Sequence, residues 1–352
     1  MSELMQYLER VVQDGASDLF LVAGAPASEK LDGELHPIGT DKLMPVQTEK
    51  LLRQIYNLSG RVMEERLSGG DDDFSFSVSG FSRFRVSAYR QRGSYAAVIR
   101  VVPFEIPGWE GYGIPAQVME LAKLTAGLVL FTGTAGSGKS TTQACIVDRI
   151  NRPRHCHVIT LEDPIEYLHR NRLSIVSQRE ISVDTGDYLS ALGASLRLAP
   201  DVIQLGEMRD LETIRTAITA AETGHLVFAT LPTRGAVNSI DRVIDSFPPE
   251  QQKQIRLQLS TVLRTVVSQQ LLPGTDGEMV SVFEVLHTNS AIRSMIRDSK
   301  NHQIPNAVAA GGAEGMISMD QALLELVRKG KITPETALHH ADNPEQLKRR
   351  LS

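Results

Sequence analysis

The stretch 127–142, GLVLFTGTAGSGKSTT, decides how the chain is read. Its apolar run reads as a strand, and it feeds the pattern G-x-x-x-x-G-K-[ST] from Gly133 to Ser140. The residues that follow open a predicted helix. In such a loop, glycines let backbone N–H groups close around phosphate oxygens, and the helix N-terminus adds a favourable dipole. Lys139 is expected to reach the β- and γ-phosphates, and the Ser140 hydroxyl to ligate Mg²⁺. The expected phosphate cradle is Gly133, Thr134, Gly136, Ser137, Gly138, Lys139, Ser140 and Thr141. A glycine-rich turn with a chance Lys-Ser is the competing reading; the strand before and the helix after favour the phosphate site.

Outward from this loop, strands alternate with helices from residue 116 onward, the signature of a parallel α/β sheet. The predicted strands are GLVLFTG, HVITLED, VIQLGE, HLVFATL and MVSVFEVL. The run 249–270, PEQQKQIRLQLSTVLRTVVSQQ, reads as one long amphipathic segment, and residues 291–350 as mostly helical, broken by AAGGAEG. Two strands end in acids. DVIQLGE ends in Glu207, followed by Met208, Arg209 and Asp210. Beside a phosphate loop, such an acid is placed to hold Mg²⁺ and the attacking water. VITLEDPIEYL, 158–168, carries Glu162, Asp163 and Glu166. Locally these fit a metal site, an acid/base pair or an accessory role. His155, His157 and His169 flank them, but their spacing matches no compact metal-ligand motif such as H-E-x-x-H.

Residues 1–102 read as a separate small α/β module: an amphipathic helix ended by Gly15, a strand in DLFLVAG, a hairpin turning at Asp32-Gly33, and a second helix in VQTEKLLRQIYNLS. The alternation in 71–102 predicts two or three antiparallel strands. Arg83 and Arg85 share one face of a strand, with Arg100 on a predicted partner strand and Arg90 and Arg92 nearby. Segment 103–115, PFEIPGWEGYGIP, has the proline and glycine content of an interdomain linker, leaving 116–352 as the second domain.

The bulk numbers agree with a globular protein: 352 residues, 41% hydrophobic, 22% charged, net charge −5. There is no basic excess pointing to nucleic acid. The two cysteines, Cys145 and Cys156, make neither a disulfide framework nor a Cys₄ zinc site. No apolar run approaches a membrane span, and the acid-interrupted N-terminus does not read as a signal peptide, so a cytoplasmic protein without direct membrane insertion is expected.

With these motifs in order, the sequence resembles the pilus retraction ATPases of the type II/IV secretion ATPase superfamily. The likeness covers nearly the whole chain. It rests on GASDLFLVAGAP, RFRVSAYRQRG, the phosphate loop, VITLEDPIEYLH (the family's Asp box), LRLAPDVIQLGEMRDLETI (Walker B), AETGHLVFATL (His box), VVSQQLLP and AIRSMIRDSKNHQI, which is similar to the AIRNLIRE motif of the retraction branch. The resemblance implies a PAS-like N-terminal domain and a RecA-like ATPase domain with helical C-terminal region, assembled as a homo-hexamer. It implies ATP and Mg²⁺ as ligands, an inner-membrane platform protein as partner, and pilus shortening and twitching motility as outcome, at the cytoplasmic face of the inner membrane. It assigns Arg85 and Arg100 to the nucleotide phosphates, Glu162 to the attacking water, Glu207 and Ser140 to Mg²⁺ (partly through water), and His225 to nucleotide sensing. Arginine's planar fork suits phosphate. Arg293 and Arg297 are candidate partner contacts, although Ala291, Ile292, Met295 and Ile296 at helical spacing are equally a buried face.

The sequence departs from the family pattern at several points. TLPTRGA has Pro232 where a second histidine is usual, and proline supplies neither imidazole nor backbone donor. Phe20 replaces a usual histidine and Ala199 a usual aspartate; an arginine is missing from APASEKLDG; and Ser294, Met295 and Asp298 are mild substitutions. These allow a weakened ATPase, or an ATP-binding ring subunit that co-assembles with an active paralogue. A pilus assembly or type II secretion ATPase is the other alternative. Those carry a longer N-terminal region and a tetracysteine insertion, which this sequence does not match.

Overall fold

The computed structural model describes residues 2–31, 33–78, 81–102 and 104–351. Asp32 of the predicted hairpin turn and Pro103, the first residue of the predicted linker, lie outside these. Two compact units divide the chain: Met1–Glu105 with Glu166–Leu168, and Ile106–Ile165 with His169–Ser352. Most of the segment read as a linker therefore belongs to the second unit, where Ile106 and Trp109 pack against one of its apolar clusters.

The first unit contains β1 (Asp18–Leu21), β2 (Pro26–Leu31), β3 (Glu34–Lys42), β4 (Asp71–Val78), β5 (Ser82–Gln91) and β6 (Ser94–Val102). They form one antiparallel sheet in the order β3-β2-β1-β6-β5-β4. Phe84, Val86 and Ala88 on β5 and Ile99 on β6 point into a core shared with Leu4 and Leu8 of the helix Glu3–Gln13 and with Leu51, Leu52 and Ile55 of the helix Pro45–Ser59. The period-2 alternation of β5 puts Arg83 and Arg85 on the other face. Burying one face leaves the opposite one to the charged residues.

The second unit adds β7 (Gly127–Thr132), β8 (His157–Glu162), β9 (Ile175–Glu180), β10 (Val202–Leu205), β11 (Leu226–Leu231), β12 (Leu263–Pro273) and β13 (Met279–His287). Their order is β13-β12-β7-β11-β10-β8-β9. All pairings are parallel except β12 with β13. Strands β7, β10 and β11 are buried along their whole length, as expected where both faces of a parallel sheet are covered.

The run read as one amphipathic segment divides into two elements. Pro249–Val262 is a helix, and Leu263–Pro273 is β12, parallel to β7. Thr265, Val266 and Val267 are β-branched and buried, which favours a pleated strand over a further helical turn. Strand β9 lies in SIVSQRE, outside the predicted strands. The C-terminal helices Met319–Arg328, Pro334–His340 and Pro344–Leu351 enclose their own cluster around Leu323, Leu324, Ile332 and Leu347. No helix among the described residues is long and apolar enough to cross a membrane.

Candidate functional site

The parallel strands of the second unit bring their C-terminal ends to one edge of the sheet. β7 delivers the glycine loop there, and the helix Lys139–Asn151 begins directly after Gly138. Gly133 and Gly138 both have positive φ, +142° and +88°. A Cβ on Gly133 would lie 2.3 Å from the Gln269 carbonyl oxygen, and one on Gly138 would lie 2.7 Å from Gln269 Nε2. Only glycine fits between the loop and β12. Gln269 also accepts a hydrogen bond from Thr142 Oγ1 at 2.9 Å, bracing the first helical turn. The motif spacing carried no sign of this brace, because it comes from a strand more than a hundred residues away.

The loop suits a polyphosphate. Ser137 Oγ is buried with no hydrogen-bond partner among the described residues. Lys139 Nζ donates to the carbonyl oxygens of Gly133 and Thr134, both at 2.8 Å, so the ammonium lies against the rim of the cradle. With the helix N-terminus behind them, these groups form an anion cradle.

The acids stand farther along the same edge. β11 lies between β7 and β10, and β8 lies beyond β10. At the usual strand spacing, β10 is about 10 Å and β8 about 14 Å across the sheet from β7. Glu162, the last residue of β8, is buried, and its Oε1 accepts hydrogen bonds from Thr160 Oγ1 (2.6 Å) and Gln178 Nε2 (3.2 Å). Glu207 Oε2 accepts from Arg209 Nε at 2.7 Å, and Arg209 also lies 3.8 Å from Asp163 Oδ2. Arg209 thus joins two acids that the sequence left unrelated. Asp210 caps the next helix by accepting from Thr213 N at 2.8 Å. Glu166 is exposed and belongs with the first unit, so the three acids of the Asp box do not form one cluster.

Tyr188 joins this group without any signal in the sequence. Burial, and then Asp163, Glu207 and Glu162, push its phenol above the usual range, with Arg209 opposing. The hydroxyl stays protonated, and it lies beside Gly206, where an added Cβ would meet it at 2.5 Å.

His225 is placed differently from the expectation. Leu226 pairs beside Gly127 and Leu231 beside Thr132, so His225 precedes β11 at the edge opposite the phosphate loop. One strand length, roughly 20 Å, separates the two edges. Its Nδ1 donates to the Ala220 carbonyl at 2.9 Å, tying strand entry to the end of the preceding helix. Within its own chain the histidine is not part of the phosphate edge. Pro232 is: it follows Leu231 directly, exposed, at the end of the strand between β7 and β10. Chain order concealed this, because the His box spans a whole strand and its two ends lie at opposite edges.

In the first unit, Arg85 and Arg100 are directly opposite across β5 and β6, and Arg100 is opposite Asp18 across β6 and β1. Arg100 Nε donates to Asp18 Oδ1 at 2.8 Å, and Ser17 Oγ donates to Asp18 Oδ2 at 2.7 Å. Asp18 is 4% exposed, whereas the Arg100 side chain is 63% exposed. The buried carboxylate thus anchors the inner edge of an outward-facing guanidinium. Arg83 donates to Ser77 Oγ, and Arg90 stacks on Tyr95. In the AIRSMIRDS segment, Ser290–Arg297 is a helix with Ile292 and Ile296 buried.

A doubly covered parallel sheet with a glycine phosphate loop and acids at the same strand edge defines a P-loop nucleotide-hydrolase architecture. The chain belongs to the type II/IV secretion system protein family, whose model matches residues 1–278. It is 42% identical to the type IV pilus retractation ATPase PilT of Pseudomonas aeruginosa, over 98% of this chain and 100% of that one. It is 38% identical to the type IV pilus ATPase PilU of the same organism, over 98% of this chain and 90% of that one. A crystal structure of the pilus retraction motor PilT with bound ADP matches with a TM-score of 0.89 at 43% identity, covering 99% of both chains. That likeness extends over the N-terminal domain, the ATPase domain and the C-terminal helices.

Proposed function

We propose that this protein is an ATP-hydrolysing motor of type IV pilus retraction, acting as a homo-hexamer on an inner-membrane platform protein at the cytoplasmic face of that membrane. The observation that carries the reading is the shared strand edge: a glycine cradle braced by Gln269, with Glu162 ending β8 and Glu207 two residues past the end of β10 in the same sheet. The relatives' names supply the biological setting, pilus retraction, and twitching motility is the outcome assigned to it in this reading.

In this reading Gly133, Thr134, Gly136, Ser137, Gly138, Lys139, Ser140 and Thr141 hold ATP. Ser140 and Glu207 hold Mg²⁺, partly through water, and the ion supplies charge neutralisation on the phosphates. Glu162 orients or deprotonates the attacking water. Arg85 and Arg100 present guanidinium groups to the phosphates.

A second reading is favoured by Pro232. It occupies the end of the strand beside the phosphate loop and offers no side-chain donor or acceptor. On this basis hydrolysis is weakened, and the chain serves as an accessory ATP-binding subunit beside an active paralogue. Turnover of the purified protein, compared with Lys139→Ala and Glu207→Gln, separates the two. A motor loses turnover in both variants; equal inactivity of all three proteins supports the accessory subunit.

A further inference from the structure

Gln178 lies on β9, in the segment SIVSQRE (174–180) that carries no recognised motif. Its residue pairs directly with Thr160 across β8 and β9, and Glu162 follows two residues along β8 on the same face. The Gln178 amide is fixed at both ends. Its Oε1 accepts the His169 backbone N–H at 2.8 Å, and its Nε2 donates to Glu162 Oε1 at 3.2 Å. A backbone N–H can only donate, so the oxygen must face His169 and the nitrogen must face Glu162. The amide orientation therefore follows from chemistry alone. Thr160 Oγ1, itself buried, donates to the same carboxylate oxygen at 2.6 Å. Two donors from adjacent strands converge on one oxygen and restrict how the carboxylate can turn.

We propose that Gln178 is a positioning residue for ATP hydrolysis, holding Glu162 as an oriented acceptor for the attacking water. The proposal rests on the reading of Glu162 as the group that acts on that water. An acceptor that turns freely samples unproductive orientations, and supporting groups of this kind give a site its precision. Gln178 touches no nucleotide in this scheme; it acts on hydrolysis through Glu162, and a double-mutant cycle separates that effect from loss of its His169 contact.

The test is a double-mutant cycle on the full-length protein, following phosphate release and the binding of a fluorescent ATP analogue. Gln178→Leu removes the donor. It is expected to lower kcat by about tenfold or more, the scale of one hydrogen bond to a charged group, with nucleotide affinity within about twofold of wild type. Gln178→Met keeps the side-chain length without a charge or a donor, and is expected to show the same loss should the leucine variant fold poorly. In a Glu162→Gln background, either change at position 178 is expected to alter the residual rate by less than about twofold, because the group it positions is gone. Wild-type kcat in both position-178 variants, with Glu162→Gln slow, overturns the proposal. So does an equal loss in both backgrounds, the mark of a merely structural residue. Full-rate hydrolysis by Glu162→Gln alone overturns the underlying assignment of Glu162, and the proposal with it.

Discussion

Glu284 on β13 gives a stability prediction whose size can be worked out. Its carboxylate is 7% exposed, and Oε2 accepts the N–H of Ala236 at 2.8 Å, the first residue of the helix Ala236–Asp245. Burial pushes its pKa up from 4.5 to about 7; the Ala236 N–H opposes this, and Asp342 and Asp320 add to it. A raised carboxyl pKa means the folded state holds its proton more tightly than the unfolded chain. The associated stability is fully present below about 4.5 and is lost as pH rises through about 7. At 1.36 kcal/mol per pH unit, the loss amounts to about 3 kcal/mol. Glu284→Gln keeps an acceptor for Ala236 but never ionises. Its stability relative to wild type is therefore expected to improve by roughly 2–3 kcal/mol between pH 5 and pH 8. Trp109, the single tryptophan, packs on the cluster that contains Phe283 and Val285, so its fluorescence follows unfolding of this unit in urea. An offset between the two proteins that stays constant across this pH range means that Glu284 does not titrate with a raised pKa in the folded state.

Two other predictions concern Arg100 and Pro232. Arg100→Ala leaves the Asp18 carboxylate buried with Ser17 as its remaining donor among the described residues, and is expected to cost about 1–3 kcal/mol of first-unit stability in a urea titration. Asp18→Asn, Arg100→Ala together are expected to be more stable than Arg100→Ala alone, since no charge is then left buried; the reverse order contradicts the anchoring role. If Pro232 weakens the ATPase, Pro232→His is expected to raise kcat by about tenfold at unchanged fold, read by phosphate release; unchanged turnover removes Pro232 as the cause.

The parts of the site legible in the sequence were those made by contiguous residues. The phosphate loop needs its glycines and lysine in one run, and strands ending in Glu162 and Glu207 announce themselves by an apolar stretch and an acid. Strand order is not written in the same way. Nothing near Gly133 indicates that β12 lies beside it with Gln269 against two loop glycines. The valines of β12 follow a helix without a break, so the apolar pattern passes from a period of 3.6 to 2 with no turn signal between. Gln178 reaches Glu162 from a strand whose own sequence carries no catalytic signal. His225 shows the converse: the His box is contiguous in sequence, yet the strand within it places its two ends at opposite edges of the sheet.

Glu162 carries the hydrolytic assignment, and steady-state ATP hydrolysis by Glu162→Gln alongside its ATP affinity tests it. The variant is expected to bind ATP as wild type does while kcat falls by about 10²-fold or more, the range for losing a positioned general base. Hydrolysis at the wild-type rate with ATP bound normally contradicts it.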